Sequence, residues 1–362
     1  MFGQSLLSGA FGSASTPVDN FNTVIYTGDS PGTQSVNTVG FQPDMVWVKG
    51  RDESYNHVLF DSIRGVCERL NPNNTNQQSD WTPNGVSAFN ATGFDVTAPG
   101  SQGYGVNENG IDYVGWCWKA GGAPTATNSA GQTPTAGSKM VDGVADSSAF
   151  ATVSNGYPTK QTINTTLDFS ITEYTKTGGT SQIPHGLSGA PEFVILKFPA
   201  PGYLDQWQIY HSSVGTGKYL QFNSADGATT RANSFSAVNS TYVESDWTSG
   251  LLPQIMYSFK SVAGFSKIGS YTATQSAGSP TETIGFEPKW IMIKNMDRNQ
   301  EWVIIDSVRG NNPGETLVTN TLDAEYTGNS IIFTSTGFTI NDGGGGINYA
   351  TGDTLVYIAF AA

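Results

Sequence analysis

Charge is scarce in this chain. Only 13% of its 362 residues are Asp, Glu, Lys or Arg, while 43 are glycine, a balance that disfavours long helices and favours short strands joined by tight turns. No run approaches the roughly 20 apolar residues of a membrane span, so membrane insertion is not expected. Lys and Arg total 17 against 30 Asp and Glu, for a net charge of −13 with no basic cluster, and such a surface repels nucleic acid. The opening "MFGQSLLSGAFGSAS" has no basic flank and reads as a poor secretory signal. Two cysteines, Cys67 and Cys117, are too few for a disulfide framework. They read as separate buried thiols, with a single disulfide as the alternative. The three histidines, His57, His185 and His211, lack zinc spacing, so no metal or cofactor is expected. There is no G-x-S-x-G and no Cys/His nucleophile signature. Glu244-Ser-Asp246 begins the E-x-D-x-x-E strand pattern of jelly-roll glucanases, but Ser249 fills its last place. An enzyme is not expected.

What is present is repetition. "GFQPDMVWVKGRDESYNHVLFDSIRG" (Gly40 to Gly65) returns in register as "GFEPKWIMIKNMDRNQEWVIIDSVRG" (Gly285 to Gly310). Between them "APEFVILK" (Ala190 to Lys197) and "WQIYHSSVG" (Trp207 to Gly215) form a weaker third copy. A related strand precedes each: "FNTVIYTG" from Phe21, "FSITEYTK" from Phe169 and "FSKIGSYT" from Phe265, at 22, 22 and 23 residues before the motif proline. Each copy closes on an apolar or aromatic strand, "DYVGWCWK", "QIMYSFK" or "LVYIAF", and the first and third share a late "TGF".

The expected organisation is an all-β chain of three homologous antiparallel β-sandwich modules, jelly-roll or lectin-like, at 21–120, 168–263 and 264–362. The Gly-, Ala- and Thr-rich stretch 121–167 is expected to be a linker or surface-hugging arm. Within "DMVWVK", Met45 and Trp47 point one way and Val46 and Val48 the other. Both faces are apolar, so the strand should be covered on both sides.

Asp61-Ser-Ile-Arg64-Gly65 and Asp306-Ser-Val-Arg309-Gly310 read as turn pairs in which Asp caps backbone N–H groups and pairs with Arg. A ligand-binding Asp–Arg pair is the alternative, though the middle copy has His211-Ser-Ser-Val-Gly215 there. Asp61→Ala should cost on the order of 1 kcal/mol through the lost cap and pair, without abolishing any binding activity. Lys49, Lys197 and Lys294 recur at the end of the apolar strand and read as solvated ends whose stems cover the rim. "GVNENGIDY" and "NDGGGGIN" read as polar turns, with Ca²⁺ ligation as the alternative. Trp81, Tyr104, Tyr203 and Tyr242 fall in polar, loop-like surroundings and are candidate sugar-stacking aromatics, with core or rim packing as the competing role. Residues 1–20 carry Phe2, Leu6, Leu7 and Phe11 with no charge before Asp19. They are expected to anchor the chain on a neighbouring subunit or another protein, or else to fold back on the first module.

The ordered string "GFQPDMVWVK…LFDSIRG…TGF…DYVGWCWKAGG", "HGLSGAPEFVILK…W…YHSSVGTGKYL" and "GFSKIGSYT…TIGFEPKWIMIK" resembles a repeat family of virion proteins from tailed phages, especially those of marine bacteria and cyanobacteria. The likeness covers nearly all of the chain beyond residue 20. It implies a structural protein of the virion exterior, on tail or capsid. A tail fibre or adhesin contacting a host surface glycan comes first, a capsid decoration or fibre protein second and a glycan depolymerase third. Its partners would be other virion proteins and, by analogy with phage fibres, further copies in a homotrimer. The usual members embed these repeats in longer fibres, whereas here three stand almost alone.

Overall fold

The computed structural model describes residues 20–99, 105–129, 131–200, 206–246, 253–310 and 314–361. Among them the chain is all β, with no helix. The first module runs β1 Phe21–Thr27, β2 Gly32–Val36, β3 Met45–Gly50, β4 Val58–Asp61, β5 Gly65–Leu70, β6 Ser79–Asp80, β7 Gly85–Asn90, β8 Gly93–Ala98 and β9 Asp112–Trp118. Six strands pair in the order β1-β9-β3-β4-β5-β6, and β2-β8-β7 form a smaller sheet. The second module is β13 Phe169–Lys176, β14 Ser181–Pro184, β15 Phe193–Lys197, β16 Gln208–His211, β17 Lys218–Gln221, β18 Thr229–Thr230, β19 Ala237–Val238, β20 Tyr242–Ser245 and β21 Pro253–Phe259, and the third is β22 Ser266–Thr272, β23 Thr281–Thr283, β24 Trp290–Asn295, β25 Val303–Asp306, β26 Glu315–Val318, β27 Tyr326–Thr327, β28 Ile331–Thr334, β29 Gly337–Ile340 and β30 Thr354–Phe360. Both repeat the first module's strand order.

The ladders fix which residues correspond. Met45, Phe193 and Trp290 each stand opposite the last strand at Trp118, Phe259 and Phe360. Phe21 and Phe169 pair with Trp118 and Phe259, but the partner of Phe360 is Ser266 rather than Phe265. The one-residue discrepancy in the sequence spacing disappears with that register. The shared "TGF" also has a physical cause. A Cβ on Gly93 or Gly337 would overlap the carbonyl of Val36 or Glu282 on the adjacent strand, so no larger residue fits there.

The stretch 121–167 carries β10 Lys139–Val141, β11 Val144–Ala145 and β12 Gly156–Asn164. β12 pairs with β13 and β10 lies parallel to β12, which widens the second module's large sheet to nine strands.

The double apolar alternation is used on both sides. In module one Val46, Val48, Phe60 and Tyr113 pack with Val36, Val86 and Phe94 of the small sheet, a sandwich core. Equivalent cores fill modules three and two. The opposite faces of all three large sheets meet in one shared core containing Met45, Trp47 and Trp116, Phe193, Ile195 and Tyr257, and Trp290, Met292 and Ile358. Where they converge only about 10 Å³ is left unfilled, lined by apolar side chains including Met45, Phe193 and Trp290. The modules are therefore not beads on a string but three sheets around a common centre.

Candidate functional site

The sharpest sequence motif lies in the seams between modules. Asp61 and Arg64 are fully or almost fully buried and paired at 2.5 Å. Asp61 Oδ1 caps the N–H groups of Ile63 and Arg64, and Oδ2 accepts the Tyr257 hydroxyl of module two at 2.6 Å. Asp306 repeats this in module three, capping Val308 and Arg309, pairing with Arg309 at 2.7 Å and accepting Trp116 Nε1–H of module one at 3.1 Å. Trp116 and Tyr257 are ladder equivalents, and their third equivalent is Ile358. Ile358 has no donor to offer a carboxylate. At that seam His211 replaces Asp: its Nδ1 accepts Ser213 N–H, and its Nε2 lies 3.2 Å from the Tyr357 carbonyl of module three. A carbonyl only accepts, so Nε2 carries the proton and the ring is neutral. The middle copy, which carries neither charge, therefore faces a position with no donor side chain and meets its neighbour through a backbone carbonyl. Burial pushes the His211 pKa down to about 4.

A second ring of contacts closes the same way. His57, Trp207 and Trp302 each precede the equivalent strand. His57 Nε2 donates to Val318 O, Trp207 Nε1 to Asn71 O and Trp302 Nε1 to Gln221 O, so module one holds three, two holds one and three holds two. Equivalent contacts that close after three steps define a pseudo-threefold arrangement. The strand-end lysines also belong to these seams, which corrects the solvated reading. Lys49, Lys197 and Lys294 are fully buried. Lys49 donates to Gly50 O and Glu53 O, Lys197 to Thr75 O of module one, and Lys294 to Ala225 O of module two and Gln300 O. Desolvation lowers Lys49 and Lys294 to about 8.

Outside the seams, one cleft has an unanswered polar group. Arg69 on β5 stands opposite Ser79 of β6, and Trp81 follows two residues later on the same face. The Arg69 guanidinium stacks 3.4 Å from the Trp81 ring centre. Its Nε is buried with no hydrogen-bond partner. Desolvation lowers Arg69 to about 10, with no compensating negative charge among the described residues. With Tyr55, Asn56, Val58 and Gly105 these two side chains line an open cleft of about 230 Å³. Tyr55 donates its hydroxyl to Glu108, which raises its own pKa to about 12. Trp81 was legible as a polar-context aromatic, but Arg69 was not: only the β5–β6 register puts it under the ring.

The other candidates are not brought to this cleft. Tyr242 begins β20 of the second module, opposite Pro184. Tyr104 and Tyr203, and Phe2, Leu6, Leu7 and Phe11 of the expected anchor, lie outside the described residues. Glu244 accepts from Gln182 and Ser236, and Asp246 pairs with Lys176. The "NENG" and "NDGGGG" stretches are hydrogen-bonded turns: Asn107 holds the Asp29 N–H, and Asp342 holds those of Gly344 and Gly345. Among the described residues no group of His, Cys, Asp or Glu could hold a metal ion. Cys67 and Cys117 are separate, buried and free.

A larger opening of about 390 Å³ lies between module one and the β10–β12 extension, lined by Asn20, Asp44, Asp142 and Asn164 among others. Its polar groups answer one another. Asp44 accepts from Ser62, Ala120 and Gly122, Asp142 from Thr165, and Asn164 donates to Asn20 and the Lys119 carbonyl. It is a seam, whereas the Arg69 cleft is built with an interaction left over.

A family model described as Domain of unknown function (DUF7483) matches residues 16–362, and the chain belongs to that family. No curated protein and no solved structure matches it.

Proposed function

We propose that the chain is a non-enzymatic protein of a phage virion exterior, a tail fibre or tail-attached adhesin that contacts a host surface glycan through the Trp81 cleft. The observation that carries this reading is that cleft: a half-buried indole in polar surroundings with a cation stacked on it. Aromatic faces stack on sugar rings, and polar groups at the rim select hydroxyl patterns. Titrating purified protein with host envelope polysaccharide tests it. Trp81→Ala should abolish saturable binding while leaving the fold intact, and equal binding by wild type and variant refutes the cleft as receptor site. Reducing-sugar release in the same mixture would replace the adhesin with a depolymerase. In the virion the N-terminal segment 1–20 anchors the chain to another virion protein. Deleting it should give soluble protein that no longer joins particles.

The pseudo-threefold body favours a second reading, a capsid decoration protein. One such chain matches a threefold-symmetric site without forming a trimer, whereas a fibre of this chain calls for a homotrimer. Immunogold labelling locates it on tail or capsid, and the mass of the free protein separates one chain from three.

A further inference from the structure

We propose that the Arg69–Trp81 cleft takes a carboxylate-bearing sugar, a hexuronate-type residue of an acidic polysaccharide, with its carboxylate on the Arg69 guanidinium. This rests on the glycan-binding reading and names the class of glycan. Three observations carry it. First, Arg69 is the cation of the cleft that no charge among the described residues answers, and a partly desolvated guanidinium gains most from a planar anion that it can grip through parallel N–H bonds. Second, one module builds the same sheets without the stack: the positions equivalent to Arg69 and Trp81 are Thr316 and Gly328 in module three, while module two keeps a ring and a cation there in exchanged places, Tyr219 and Arg231. Third, Tyr55 and Asn56 lie on the same rim: the Tyr55 proton goes to Glu108 and Asn56 Oδ1 accepts from Asn73 and Asn74, which leaves the Asn56 amide N–H groups and the Tyr55 oxygen lone pair to meet ring hydroxyls. The surrounding chain is acidic and Glu108, hydrogen-bonded to Tyr55 of the rim, adds a nearer negative charge, so the attraction must come from the Arg69 contact itself. Salt screens the distant repulsion more than the contact pair, so affinity should hold or rise from low to physiological salt, opposite to a basic-patch binder.

The test uses the full chain and a pair of probes: an oligoglucuronate and its carboxyl-reduced, neutral counterpart, titrated by calorimetry. The wild type should bind the acidic probe at least about tenfold more tightly than the neutral one, which is the scale of one charge-assisted contact. Arg69→Gln should remove that preference, Arg69→Lys should restore only part of it, and Trp81→Ala should weaken both probes. Unchanged near-ultraviolet circular dichroism confirms that each variant is folded. If both probes bind alike and Arg69→Gln changes nothing while Trp81→Ala still weakens both, the carboxylate assignment is wrong and the glycan reading stands. If host polysaccharide binds but the acidic probe does not, the assignment is likewise wrong. If neither the probes nor host polysaccharide binds, both readings fail.

Discussion

Truncating Asp61 separates a structure in which its motif is a surface turn from one in which it is a buried clasp. Its carboxylate accepts four hydrogen bonds, from Ile63 N, Arg64 N, Arg64 Nε and the Tyr257 hydroxyl, with both ion-pair partners out of water. Asp61→Ala leaves those donors unanswered and a guanidinium without its ion-pair partner, hydrogen-bonded to Leu59 O, Glu68 O and Gln78 Oε1. Breaking one side of a buried pair costs about 3–5 kcal/mol, against the 1 kcal/mol or so expected of an exposed capped turn. Asp306→Ala makes an internal comparison. Arg309 keeps a second carboxylate, Glu325, at 2.7 Å, so its charge is never left alone and the loss should be smaller, about 2–3 kcal/mol. Tyr257→Phe removes only the inter-module bond and should cost about 1.5–3 kcal/mol, most of it missing when Asp61 is already Ala. Urea unfolding followed by tryptophan fluorescence and far-ultraviolet circular dichroism, with coincident transitions, gives the numbers. A loss under about 1 kcal/mol for Asp61→Ala, or a larger loss for Asp306→Ala than for Asp61→Ala, would refute the clasp.

Acid should loosen the fold before most carboxylates titrate. His185 and His211 are held near 4 by burial, against 6.5 in the unfolded chain, so stability falls as pH drops from 6.5 towards 4, by about 2 kcal/mol per histidine at pH 5. His211→Gln should flatten part of that slope in urea midpoints measured at pH 7 and 5. Lys49 and Lys294, lowered to about 8 from 10.5, act in the alkaline window. The unfolded chain keeps protons that the fold gives up, so stability should rise by about 1 kcal/mol per lysine between pH 7 and 9, and the rise should vanish in the paired Lys→Met variants. Residues 264–362 expressed alone would expose Trp290, Met292, Ile304, Ile358 and Phe360 of the shared core, so they should aggregate or self-associate. A soluble folded monomer seen by sedimentation would show that the central core is dispensable.

Much was determined by the sequence itself. Alternation of period two and the threefold recurrence of one segment follow from local pattern, because side chains of a strand point to opposite faces whatever surrounds it. An apolar character on both faces of Met45–Lys49 already required two layers of cover, though not which two. The sequence could not say that the second layer would be the other modules, since that depends on three large sheets converging on Met45, Phe193 and Trp290. For the same reason Lys49, Lys197 and Lys294 read as solvated ends: a lysine after an apolar strand is exposed in an isolated sandwich and buried only when a neighbouring module's loop closes over it. Asp61 and Asp306 were legible as caps, but their partners Tyr257 and Trp116 lie far along the chain, and His211 makes sense only opposite Ile358. Trp81 stood out by its polar context, while Arg69 joined it through a two-residue strand pairing that no local signal marks. Local pattern set the strands and their faces; long-range register and the docking of modules decided which charges were buried and which were answered.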